Sequence, residues 1–329
     1  DYAYPLIYKF DSFGDVSWST SIVSQSPGSA YSVYETSNGD LLVSGQKSLN
    51  DTIKAFINKY DSNGILLWNY ESGSFNGGNG PKIDSVIESH DGKYIAVAGM
   101  WEASSSSYAI ALLKLDTEGN EEWVKTIALD SRPHFIDKTS DGGYIITGGA
   151  GVWDYPFILK VDSNGDEIWS TSIPSASTDY AMSAIETDDG GYMIYRMDND
   201  KNKITKFDSN GNQLWTKNYD GIRGAYYGAK IGKTNDGNYI FYSSVLEDSS
   251  LGWGSPTDGV LVKIDSEGNI IWTKTYGDSD VYESGMSAYQ SHDGGFVIFQ
   301  QKTTNLTWQY TSFNLIKVDS EGSLLRINF

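Results

Sequence analysis

The chain of 329 residues contains no cysteine. Disulfide staples and thiolate metal sites are therefore excluded, and the fold has to rest on packing and hydrogen bonds. Histidine is nearly as scarce, with three copies, which leaves no zinc site of the usual kind. Basic residues are outnumbered, 24 Lys and Arg against 43 Asp and Glu, for a formal net charge of −19. Phosphate backbones and anionic membrane surfaces would be repelled, so neither nucleic acid nor membrane insertion is expected. No apolar run approaches the length that crosses a bilayer. No stretch keeps a 3.6-residue apolar period, so no long helix is expected. Nucleophile-elbow, dinucleotide and P-loop glycine patterns are missing too.

What the chain does contain is one unit repeated end to end. Its first half reads Lys-x-Asp-Ser-x-Gly-x-x-x-Trp, as in Lys160–Trp169. It recurs seven times, with its Asp at Asp11, Asp61, Asp116, Asp162, Asp208, Asp265 and Asp319. The second half, Asp-Gly-Gly-Tyr followed by apolar residues, recurs six times, with its turn glycine at Gly39, Gly92, Gly142, Gly190, Gly237 and Gly294. A period of about 50 residues over the whole chain specifies a repeat architecture. Each half reads as a hairpin: two runs rich in β-branched and aromatic residues flank Asn-Gly, Asp-Gly or a similar pair, residues that tolerate the positive φ of tight turns. Two hairpins per period give four short antiparallel strands, the blade of a β-propeller. The expected fold is all-β: one β-propeller domain over 1–329, built of four-stranded antiparallel blades. Seven first halves favour seven blades, and six complete second halves leave six possible. Because Asp1 falls in mid-repeat, the expectation is either that part of the first unit lies upstream of it or that the ring closes with an incomplete blade.

Trp18, Trp68, Trp123, Trp169, Trp215 and Trp272 each follow the first-half turn glycine by four residues, and the seventh copy has Arg326 there. A flat side chain at that place can wedge between neighbouring blades, so these six are expected to be structural, each costing roughly 3–5 kcal/mol on truncation. The Asp-x-x-Gly-x-x-x-Trp pattern is similar to the tryptophan-docking motif of quinoprotein-like propellers. The fuller repeat, with Asp-Gly-Gly-Tyr and Leu-x-Lys-x-Asp, resembles those of many secreted bacterial and archaeal β-propeller proteins. The resemblance covers nearly the whole chain and implies fold far more than function. A quinone cofactor does not carry over, because no constellation for one is visible.

Cysteine-free composition and high Ser, Gly, Asn and Tyr content suit an exported protein, secreted or at the cell surface. No signal peptide is visible in this sequence. The sequons at Asn50 and Asn305 are expected by chance alone. His90 and His292 both precede an Asp-Gly turn and read as turn residues.

Function is sought where the repeat breaks. Hairpin turns emerge at one end of the blades and are monotonous, whereas the connections at the other end vary in length and content. Recognition is usually carried by such loops on a rigid scaffold. The four Trp outside the motif, Trp101, Trp153, Trp253 and Trp308, all fall there. They suit stacking on sugar rings or anchoring a protein, the bland alternative being that they cap blade edges. Tyr155, Tyr226, Tyr282 and His134 could extend the surface. Asp278, Asp280 and Glu283 could ligate Ca²⁺, a weak expectation that leaves no cofactor as the default. A carboxylate pair could serve glycoside hydrolysis. The leading expectation is a non-catalytic extracellular module that binds a glycan or protein, or acts as a subunit of a self-assembling surface structure. The competing one is a polysaccharide hydrolase or lyase with carboxylates in a central funnel.

Overall fold

The computed structural model describes residues 5–22, 28–49, 52–72, 75–76, 81–102, 107–150, 155–173, 179–198, 201–223, 230–246, 257–278, 281–303 and 311–328. Among them there is no helix. The chain falls into two compact units, Asp1–Ile173 and Pro174–Phe329. The first unit opens with a hairpin, Leu6–Phe10 and Val16–Ser21. Three four-stranded blades follow. Blade 1 has Gly28–Glu35, Leu41–Leu49, Thr52–Tyr60 and Leu66–Glu71, with the short strand Phe75–Asn76 paired to its third strand. Blade 2 has Lys82–Glu88, Tyr94–Glu102, Ser107–Leu115 and Glu121–Leu129, and blade 3 has Ser131–Lys138, Tyr144–Ala150, Tyr155–Val161 and Glu167–Ser172.

The second unit carries three more such sets. Blade 4 has Asp179–Glu186, Tyr192–Asp198, Lys201–Phe207 and Gln213–Arg223. Blade 5 has Ile231–Lys233, Tyr239–Leu246, Thr257–Ile264 and Ile270–Tyr276. Blade 6 has Tyr282–Gln290, Phe296–Thr303, Thr311–Val318 and Leu324–Asn328. Within each blade every neighbouring pair is antiparallel. Sparse bridges, Ile222 and Arg223 on Val245 and Ser244, and Thr257 parallel to Tyr282, tie the three into one continuous ladder.

Strand order explains residue choice. The middle strands are covered on both faces and read as continuous buried runs, as in Tyr192–Met197. The fourth strand is an edge and alternates exposed with half-buried residues, as in Glu167–Ser172. Within each unit, core lies between successive blades. Ile87, Val97 and Leu112 of blade 2 pack with Ile146, Phe157 and Leu159 of blade 3. Tyr195 and Ile204 of blade 4 pack with Phe241 and Val262 of blade 5. First strands are also linked across blades: Ser32 Oγ accepts from Val86 N at 3.4 Å, and Ser183 Oγ accepts from Ile231 N at 3.0 Å.

The first-half turn differs from the expected tight pair. In Asp116–Asn120 the Asp116 carbonyl accepts from Gly119 N and Oδ1 accepts from Glu118 N and Asn120 N. The ladder then slips by one residue between Lys114 and Leu115. This is a longer turn closed by a glycine bulge. Asn at the penultimate position, as in Asn63, does not take positive φ: among described non-glycine residues only Asp130 does, at 56°. The recurring Asp, holding two N–H groups on one carboxylate oxygen, defines the turn.

Candidate functional site

The residues singled out from sequence are only partly described. Trp153, Trp253, Trp308 and Tyr226 lie outside the described residues. Trp101 is not in a loop but in the second strand of blade 2, opposite Tyr108, and its side chain is outside the description. Tyr155 starts the third strand of blade 3, half-buried, opposite Ala150. His134 is the bulged residue of the first strand of blade 3, also half-buried. Tyr282 opens blade 6 opposite Thr303. All six motif Trp residues are half-buried, and within each unit they pack on the next first-half turn. Trp18 Nε1 donates to Ser62 O at 3.0 Å and Trp68 Nε1 to Thr117 O at 3.1 Å. The rings of Trp18, Trp68, Trp123, Trp215 and Trp272 cover the turn glycines Gly64, Gly119, Gly165, Gly268 and Gly322.

A polar cluster that the sequence reading named only in pieces sits in the second unit, where blades 5 and 6 meet the variable connections. Glu283, on the first strand of blade 6, is 1% exposed. Its Oε1 accepts from Asp278 N at 3.3 Å, and its Oε2 is buried with no hydrogen-bond partner. The strand is pinned there by Thr257 Oγ1, which donates to the Glu283 carbonyl at 2.7 Å. The Asp258 carboxylate lies on the backbone of Gly277, where an added Cβ would stand 2.0 Å from its Oδ1. Asp278 Oδ2 takes Lys302 Nζ at 2.5 Å. Beside them Tyr242 donates to Gln300 Oε1, a contact possible only because residue 259 is glycine, since a Cβ there would be 1.8 Å from the phenol oxygen.

Electrostatics follow from this geometry. Burial pushes the Glu283 carboxyl up to about 7; the Asp278 N–H and Lys302 pull it down, and Asp258 and Asp278 push it up again. Burial and then Asp278 raise Asp258. A second raised carboxyl lies in the first unit, where burial lifts Asp84 to about 6. Asp84 has its own cation, Lys82 Nζ at 2.6 Å. Glu283 has no such direct partner, which makes it the group whose burial calls for explanation. Asp280 lies outside the described residues, and among those described no group of three or more His, Asp or Glu could hold a metal ion.

An ionisable group that is neutral when folded has a testable signature. Unfolded, Glu283 ionises near its ordinary 4.5; folded, near 7. Its raised value therefore destabilises the fold progressively as pH rises from 4.5 to 7, and fully above 7. Glu283→Gln is expected to melt at a higher temperature than the parent chain at pH 8 and at the same temperature at pH 4. Equal melting differences at both pH values would contradict this.

No protein-family model matches the chain, and no curated protein matches it. Solved structures do. A protein from Lactobacillus plantarum overlays with TM-score 0.60 and 11% identity, covering 98% of this chain and 94% of that one. NanB, solved with Optactamide, overlays with TM-score 0.58 and 12% identity, over 88% of this chain and 68% of that one. The β-propeller domain of the Trilobed protease from Pyrococcus furiosus overlays more loosely, with TM-score 0.41, 12% identity and coverage of 91% and 95%. With its repeated four-stranded antiparallel blades, the fold is a β-propeller. Identities of 11% and 12% carry the fold alone and no chemistry.

Proposed function

We propose that this propeller is a non-catalytic extracellular binding module, secreted or held at a cell surface, that takes a glycan or protein ligand through the end of its blades where connections vary. The observation that carries the reading is Glu283. At the turn end, the recurring Asp residues spend their oxygens on their own backbone. At the opposite end a buried carboxylate oxygen is left without a partner beside two further carboxylates. Natural folds rarely leave such groups unmatched without a use for them. By sequence, Trp153, Trp253 and Trp308 fall in the same class of connection, and Trp101 stands near the end of the strand that leads into one.

The test is an array of glycans and extracellular proteins, probed with the parent chain and with a variant carrying Ala at Trp101, Trp153, Trp253 and Trp308. Binding that falls at least tenfold in the variant is expected. No binding to either set overturns the reading. A self-assembling form of the same proposal requires large particles by light scattering, and a strictly monomeric chain removes it.

One observation favours a second reading, a polysaccharide hydrolase or lyase. A carboxyl that stays protonated near pH 7 next to another carboxylate is the pair such chemistry uses. Sugar release from neutral or acidic polysaccharides, abolished by Glu283→Gln, would put this reading in place of the first.

A further inference from the structure

We infer that the Glu283 cluster is a receptor for a primary ammonium group, presented as a lysine side chain by a polypeptide partner. This rests on the reading of that end of the blades as a binding end. Three carboxylates converge there from three elements: Glu283 from the first strand of blade 6, Asp258 from the third strand of blade 5, and Asp278 from the connection between these blades. They are in direct succession. Asp258 lies on Gly277, and the next residue, Asp278, donates its N–H to Glu283. The cation facing them from blade 6 is Lys302, and it is held on the exposed oxygen of Asp278. Among the described residues, the phenol of Tyr242 also faces Glu283 and Asp258, and burial keeps it neutral. With all three acids ionised, the cluster therefore carries an excess of negative charge, and Glu283 Oε2 has nothing to pair with.

A buried carboxylate is stabilised by an opposite charge that also donates hydrogen bonds, and is penalised by anything else. An ammonium is a compact point charge with three donors, whereas a guanidinium is a wide planar fork. The compact cation fits better, because Glu283 is 1% exposed and only its Oε2 is unmatched, its Oε1 already accepting from Asp278 N, so a planar fork has no free pair of oxygens to bridge there. A chain of formal charge −19 draws basic polypeptides towards it at long range and supplies orientation at short range. Neutral sugars offer hydroxyls but no charge to answer the excess.

Isothermal titration with tetralysine, its fully Nε-acetylated counterpart and cellotetraose tests the assignment. Tetralysine is expected to bind and the acetylated peptide not to. At pH 8, Glu283→Gln and, independently, Asp258→Asn are expected to weaken binding roughly tenfold, while Glu118→Gln, an exposed turn acid of the other unit, leaves it unchanged. At pH 7 binding should release a proton from Glu283, seen as a heat that differs between phosphate and Tris buffers and is lost in Glu283→Gln. Equal weakening by Glu118→Gln would show general attraction and overturn the assignment, as would undiminished binding of the acetylated peptide. Calcium binding removed by Glu283→Gln would overturn it in favour of a metal ion. If cellotetraose binds and tetralysine does not, the binding end stands and the ammonium falls; if neither these probes nor the arrays show binding, both readings fall.

Discussion

Gly119→Ala is expected to cost more stability than Gly92→Ala, although both glycines have left-handed φ, 85° and 76°. Any Cβ is strained at that φ, by about 1 kcal/mol. At Gly92 that is the whole effect, since nothing lies within 4 Å of the added carbon. At Gly119 the same carbon would stand 2.7 Å from two ring atoms of Trp68. The indole cannot simply retreat, because Nε1 is held on Thr117 O and the ring sits against Tyr94, with centroids 5.6 Å apart. We expect about 3 kcal/mol for Gly119→Ala and a similar loss for Trp68→Ala, at the low end for a Trp because the ring is half-buried. The double variant decides the cause. With Trp68 already removed, Gly119→Ala should fall back to the Gly92 value, so that the two losses do not add. Urea midpoints with an unchanged slope measure the four variants against the parent chain. Full additivity would mean that the ring and the glycine are not one contact.

The same comparison shows why the fold was legible. A repeat exposes every positional requirement many times over, so the Trp, the turn glycine and the Asp stand out against changing neighbours. The hairpins and their four-strand grouping followed from alternation and turn residues alone. The turn type did not, because the same Gly-containing turn residues can close either a tight pair or a bulged turn, and the choice rests on which N–H groups Asp116 Oδ1 accepts from. The candidate site was legible only as scattered letters. Asp258, Asp278 and Glu283 were visible as acids in an irregular region, but a string cannot say that Glu283 is buried or that its Oε2 goes unmatched. Both depend on pairing between blades. Gly259 and Gly277 gave no signal in a glycine-rich chain, though each makes room for a neighbouring side chain. A readable sign did pass unused: a lysine recurs two residues before each first-half Asp, inside an otherwise apolar strand. Charge repeated at a buried register requires a partner.

That lysine is the basis of the second large effect. Lys160 is 2% exposed on the third strand of blade 3, and its ammonium reaches Asp141 in the Asp-Gly-Gly turn of the same blade at 3.0 Å. Lys114–Asp91, Lys206–Asp189, Lys263–Asp236 and Lys317–Asp293 repeat the pair. In blade 1 the turn has Asn38 instead, and Lys59 turns to Asp40, two residues on, at 2.8 Å. Asp141→Asn would leave a buried ammonium with no opposite charge, held only by neutral acceptors, the Val161 carbonyl and the amide oxygen at 141. Removing one partner of a buried pair is costly, but the Asp141 side chain is 55% exposed and solvent screens part of the attraction, so we expect a loss of about 2 kcal/mol. Lys160→Met combined with Asp141→Asn should recover most of it, since an apolar residue then replaces the buried ammonium and no stranded charge is left. The pairs also set the acid limit. Partial burial raises the Asp141 carboxyl, but Thr139, Lys160 and the Gly143 N–H outweigh it and hold it at about 2; Lys206, Thr187 and Gly191 do the same for Asp189. Asp236 and Asp293 are held lower still by Lys263 and Lys317. A depressed carboxyl stabilises the fold above its ordinary value of 3.8 and loses that contribution as pH falls through the folded value. The contribution of these pairs should therefore be constant above pH 4 and fall steeply towards pH 2, with a shallower fall in Asp141→Asn. An acid limb of equal slope in the two proteins would show that the Lys160–Asp141 pair takes no part in it.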